Sequence, residues 1–161
     1  WEKIMAAGKA QGIKACGYRA IESLRLEKGY RAWAGEINTE TNPYEAGLGF
    51  AVSLKKDNFH GKAAAVAAQA NLTRKLVAIT FDDITCVPFG SEPIRVGEKI
   101  VGRIKSGGQG YTIKKAIAYA YLPIAQTEVG TKVDVELFGT WRSGVICAEP
   151  LFDPSNERIR L

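Results

Sequence analysis

The sequence is poor in the side chains from which most catalytic and metal centres are built. It holds one histidine, His60, and one methionine, so no imidazole pair can ligate a metal or relay a proton. His60 stands at a helix-like start and reads as a surface or capping residue. Cysteine is scarce too: Cys16, Cys86 and Cys147 are odd in number and far apart, which argues against a disulfide framework or a zinc site. Their neighbours are apolar, so they are expected to be buried, unpaired thiols in a reducing compartment. No apolar run approaches the ~20 residues that cross a bilayer, and the longest uncharged stretch, Ala63 to Leu72, is short and alanine-rich. No membrane span is expected. A phosphate loop is missing as well, because Gly107-Gly108-Gln109-Gly110 lies between strand-like segments and is not followed by Lys-Ser or Lys-Thr. Those glycines read as turn chemistry. The chain opens on Trp1 inside a helix-like stretch with no leader pattern before it, so it is expected to be a fragment.

The composition is otherwise that of an ordinary folded domain, 46% hydrophobic and 24% charged. The net charge of +5 and pI near 9.1 would suit a phosphate backbone if the cations clustered. They do not: Lys55-Lys56, Arg74-Lys75 and Lys114-Lys115 are isolated pairs with acids between them, a solvated surface and no nucleic-acid stripe. The field can still favour an anionic small molecule. Asp82-Asp83, adjacent at a strand end, are read as turn acids.

Periodicity divides the chain near residues 71–74, with mainly helical patterning before and short alternating strands after. Tyr18 to Glu27 predicts an amphipathic helix ended by Gly29. It would have Ile21, Leu24 and the Lys28 stem on one side and a Glu22–Arg25 pair outside. Asn42 to Gly49 reads as a loop leading into a strand over Phe50 to Leu54. Gly61 to Gln69 should be a helix capped by Asp57 or Asn58. Strands are expected at 76–81, 99–104, 116–121, 133–137 and 145–147, with a turn at Phe138-Gly139. The expected class is α+β: a helical or mixed part at 1–73, then a small antiparallel β-barrel at 74–161, with no helix of more than about three turns between Val77 and Leu122.

Several short strings occur in a telling order. Gly17 to Tyr30, containing Leu24-Arg25-Leu26-Glu27, is followed by Pro43-Tyr44-Glu45-Ala46-Gly47-Leu48 and then by Asp57-Asn58-Phe59-His60-Gly61-Lys62. Downstream come Val101 to Gly108 and Ile117 to Pro123. In this order the strings resemble the carboxyl-terminal part of the glycine-cleavage T-protein, or aminomethyltransferase, family. The stretch Ser23 to Trp33 is more similar to the dimethylglycine and sarcosine dehydrogenases and oxidases that contain such a region. Ile21 stands where the T-protein has an arginine, and Asp153 to Arg158 replaces an aromatic-rich terminus.

The resemblance implies a parent enzyme that oxidises an N-methylated glycine on FAD held upstream, and passes the one-carbon unit to tetrahydrofolate. The implied partners are folate and the upstream flavoprotein and folate domains, with no nucleic acid and no membrane, in the bacterial cytoplasm or the mitochondrial matrix. The family's aspartate and glutamate folate anchors would lie upstream. Within the chain the resemblance implies partial folate contacts at Tyr30 and Arg158, and no catalytic residue or metal. Tyr30 could offer a flat face and one hydroxyl to a ring, or could pack between domains. Arg158 could pair with a glutamyl carboxylate, or be a surface arginine. A free-standing aminomethyltransferase and a non-catalytic docking module remain as other readings.

Overall fold

The computed structural model describes residues 1–158 and 160. Three α-helices, α1 (Glu2–Gly8), α2 (Tyr18–Lys28) and α3 (Lys62–Ala70), precede six strands. The strands are β1 (Arg74–Phe81), β2 (Pro93–Val96), β3 (Lys99–Gly110), β4 (Lys115–Pro123), β5 (Lys132–Leu137) and β6 (Thr140–Cys147). All pairings are antiparallel, and the order β1-β4-β3-β2-β5-β6 closes into a barrel. The α+β class and the barrel therefore match the sequence reading, and no helix interrupts Val77 to Leu122.

Strand alternation sends one set of side chains into the barrel and the other out. Val77, Ile79 and Phe81 of β1 point inward beside Ala120, Ala118 and Ala116 of β4, each large residue directly opposite a small one. This alternation fits the narrow interior of a six-stranded closure. Gly144 of β6 completes it, because a Cβ there would lie 2.8 Å from Ile79 Cγ2. The outward set on the same two strands, Leu76, Ala78, Ile117, Tyr119 and Tyr121, is buried as well, under Leu26 of α2. β1 and β4 are thus buried on both faces.

Helix α2 reaches that wall through the glycine string. A Cβ on Gly108 would lie 2.6 Å from Leu26 Cδ1, and one on Gly107 2.5 Å from the Pro88 carbonyl. The expected turn at Gly107 to Gly110 is instead the last third of β3, and the reversal follows at residues 111–114. Glycine serves close packing there.

Other expectations fail for identifiable reasons. The side of α2 that meets the barrel carries Ser23, Leu26 and Glu27, whereas Ile21 and Leu24 are 54% and 55% exposed. The polar residues tolerate burial because the Ser23 hydroxyl donates to the Gln109 carbonyl and Glu27 accepts the Thr112 and Ile113 N–H groups. Phe50 to Leu54 is no strand: Gly49–Ala51 forms a 3-10 turn and Phe50 is 88% exposed. Helix α3 begins at Gly61 in the left-handed region with no side-chain cap, so neither Asp57 nor Asn58 caps it. The three cysteines are free, as expected, but not buried: Cys16 is exposed and the other two are half-buried. Among the described residues no helix is long and apolar enough to cross a membrane.

Candidate functional site

Gly29 ends α2 with φ +74°, and the Tyr30 N–H returns to the Arg25 carbonyl at 2.9 Å. This left-handed closure throws Tyr30 off the helix end, 58% exposed. After β6 the chain runs back along the same helix. The Phe152 N–H donates to the Glu27 carbonyl at 3.0 Å, and Lys28 Nζ donates to the Asp153 carboxylate at 3.0 Å and to its carbonyl at 2.5 Å. The Arg158 guanidinium then sits over the Phe152 ring, 5.3 Å from its centroid.

Tyr30 and Arg158, at opposite ends of the sequence, consequently line one groove of about 360 Å³. Ile21, Leu24 and Phe152 supply its apolar surface, with Lys28 at its edge. The two residues named from the sequence are brought together. The apolar residues between them were not recognised as site residues, because an exposed helix face carries no marker until the chain that folds against it is known.

Charged side chains tie α2 and the residues after it to the barrel and to the segment that follows it. Glu36, 1% exposed, accepts from Arg25 at 2.6 Å, from the Ala32 N–H at 2.8 Å and from the Ser106 hydroxyl. Burial alone would raise its carboxyl, but these donors outweigh it and hold the group below the ordinary carboxylate range. Arg25 also pairs with Glu22, as the helical spacing predicts. Arg31 donates to the Ala46 and Gly29 carbonyls and to Glu149, and lies 5.2 Å from the Tyr119 ring centroid. Burial pushes the Glu149 carboxyl above its usual range despite that arginine. Neither Glu36 nor Arg31 was singled out from sequence, and no spacing would have marked them.

A larger hollow, about 470 Å³, lies on the other side of α2 against Pro88 and Gly107. Its polar groups are largely engaged with one another: Ser23 with the Gln109 carbonyl, and the Tyr111 hydroxyl with the Gln109 amide oxygen at 2.5 Å. His60 is exposed beside α3. Asp83 accepts from the Thr85 N–H and hydroxyl, as a turn acid does. Among the described residues no group of His, Cys, Asp or Glu is placed to hold a metal ion.

Comparison with known proteins gives this geometry a context. Residues 1–56 match the GCVT N-terminal domain, and residues 74–153 match the glycine cleavage T-protein C-terminal barrel domain. The chain is 41% identical over 163 residues to mitochondrial dimethylglycine dehydrogenase of Rattus norvegicus, covering all of this chain and 19% of that protein. It is 39% identical over 160 residues to an aminomethyltransferase of Symbiobacterium thermophilum, covering 98% of this chain and 42% of that one. The crystal structure of the glycine cleavage system aminomethyltransferase T from Bartonella henselae superposes with a TM-score of 0.77 at 27% identity, over 84% of this chain and 38% of that one. The chain therefore spans about a fifth of the first relative and well under half of the other two. Two domain matches in family order, with a shared barrel, make this chain a member of the glycine cleavage T-protein family.

Proposed function

We propose that the chain is the tetrahydrofolate-facing part of an aminomethyltransferase-like region in a flavin-dependent dehydrogenase or oxidase of N-methylated glycines. On this reading residues 1–73 finish the folate-binding domain and 74–161 form its barrel domain. One observation carries it: Tyr30 and Arg158 line a single apolar groove. An exposed tyrosine and the Ile21 and Leu24 side chains suit a flat ring, and the Arg158 cation suits a glutamyl carboxylate. When bound, tetrahydrofolate supplies the nitrogens that take up a one-carbon unit. The residues of this chain hold and orient the ring and keep water from its apolar side. FAD belongs to a part of the protein outside these residues, in the bacterial cytoplasm or the mitochondrial matrix. The likeness to dimethylglycine dehydrogenase, over the whole chain, supports this choice.

The likeness to aminomethyltransferases supports a second reading, a free-standing enzyme without flavin. The sequence preceding Trp1 in the intact gene separates the two: a long dinucleotide-binding region favours the first, its absence the second.

The 161-residue chain alone is expected to turn over no substrate and to bind tetrahydrofolate weakly or not at all. A stacking contact contributes about 1 kcal/mol beyond its burial and an exposed ion pair about as much or less, against several kcal/mol for immobilising the ligand. Dissociation constants in the millimolar range or weaker follow. In the intact parent, Tyr30→Ala should weaken folate capture and leave flavin reduction by the amine nearly unchanged. Loss of flavin reduction with folate binding intact would overturn the assignment.

A further inference from the structure

We infer that Lys28 is a positioning residue, a latch that holds the C-terminal segment against α2 and so builds one wall of the groove. Lys28 Nζ has three acceptors, all in that segment: the Phe152 carbonyl at 3.4 Å, the Asp153 carbonyl at 2.5 Å and Asp153 Oδ2 at 3.0 Å. Three acceptors match the donor number of an ammonium group. The Lys28 and Asp153 side chains are only 11% and 9% exposed, so the pair is shielded from the solvent that weakens surface ion pairs.

Asp153 passes the constraint on. Its other oxygen, Oδ1, accepts the Glu157 N–H at 2.9 Å, and its carbonyl accepts the Asn156 N–H at 3.0 Å. One carboxylate thus joins the helix to the turn that delivers Arg158. The latch closes on a firm base, because the neighbouring Glu27 is tied to Thr112 and Ile113 at the β3–β4 reversal. A second tether, Arg31 to Glu149, fixes the start of the same segment. Released at Lys28, residues 152–158 keep the single Phe152-to-Glu27 hydrogen bond to α2. Phe152 and Arg158 then lose their fixed place opposite Tyr30, and the groove opens on one side. Lys28 needs no ligand contact for this role.

The latch stands on geometry alone, whereas its effect on ligand rests on the folate reading above, so the test has two arms. In the first, hydrogen exchange is measured at the Phe152 and Glu157 amides in Lys28→Met, Asp153→Asn and the double variant. Met keeps the aliphatic stem, and Asn keeps an acceptor for the Glu157 N–H. Each single variant should exchange at least about tenfold faster at both amides, with β1 and β4 amides unchanged. The double variant should be no faster than Lys28→Met, because the side-chain contact that Asp153→Asn weakens is already lost with the lysine. Wild-type exchange in Lys28→Met, or effects that multiply in the double variant, would overturn the latch. In the second arm, tetrahydrofolate is titrated to millimolar concentration and read at the Ile21 and Leu24 methyl resonances. Their response should shrink severalfold in Lys28→Met. An unchanged response beside a loosened tail would show that the latch does not shape the site. Where the chain alone gives no response, the titration is read in the intact protein, and no response there would sink the folate reading while the exchange arm still decides the latch.

Discussion

Strand β4 buries seven consecutive residues, Ala116 to Leu122, whereas α1 and α3 bury none. The contrast separates two ways of being ordered. The barrel closes its own sheet, so each strand satisfies its neighbours and both faces of β1 and β4 are covered. The stretch before it has no comparable core. The part of it that packs, α2 and residues 31–47, leans on the outer wall of the barrel through Leu26, the Tyr119 and Tyr121 hydroxyls and the Glu36 carboxylate. What it leaves exposed, Ile21, Leu24, Tyr30 and Trp33, is apolar. A region that borrows its core has side chains to spare for a binding surface.

Three substitutions probe that difference. Ile79→Ala, at the fully buried centre of the barrel, should destabilise the whole chain by about 4 kcal/mol, with α2 and the barrel melting together by circular dichroism. Separate transitions would show that α2 is not dependent on the barrel. Glu36→Gln should cost about 3 kcal/mol, since it leaves Arg25 buried with a weaker partner, and should loosen α2 more than the strands. The Glu36 carboxyl lies below its ordinary range when folded. Its contribution is therefore full above the unfolded value near ~4.3 and is lost as pH falls through the lower folded value. Acid denaturation should flatten there in Glu36→Gln, and an unchanged acid limb would show that Glu36 is not its source. The smallest effect is expected at Val66 in α3, 46% exposed. Val66→Ala should change stability by less than about 0.5 kcal/mol, and a larger loss in urea unfolding would reveal packing on α3.

The same division decided what could be read from sequence. In the barrel, burial and sequence pattern agree: 133–137 alternates, while 76–81 and 116–121 are short apolar runs buried on both faces, so all three strands were legible. β2 was missed because four residues beginning with proline and containing Arg95 carry too little pattern. In α2 burial and hydrophobicity disagree. Ser23 and Glu27 face the barrel because hydrogen-bond partners wait there, and Ile21 and Leu24 face outward to form the groove. Local pattern is expected to mislead at functional surfaces. The resemblance carried Tyr30 and Arg158, but nothing local could show that the tail returns to α2, since Lys28 meets Asp153 only through the whole barrel between them. Gly107 and Gly108 were seen as glycine yet misread, because close approach and a turn demand the same residue.

The central claim, that the groove joining Tyr30 and Arg158 faces tetrahydrofolate, is tested most directly by titrating the labelled chain with tetrahydrofolate and mapping amide and methyl shifts. The account predicts binding in the millimolar range or weaker, with the largest changes at Ile21, Leu24, Tyr30 and Phe152, and their loss in Tyr30→Ala. Changes centred on Gly108, Gln109 and Tyr111 in the hollow across α2, or a response indifferent to Tyr30, would contradict it.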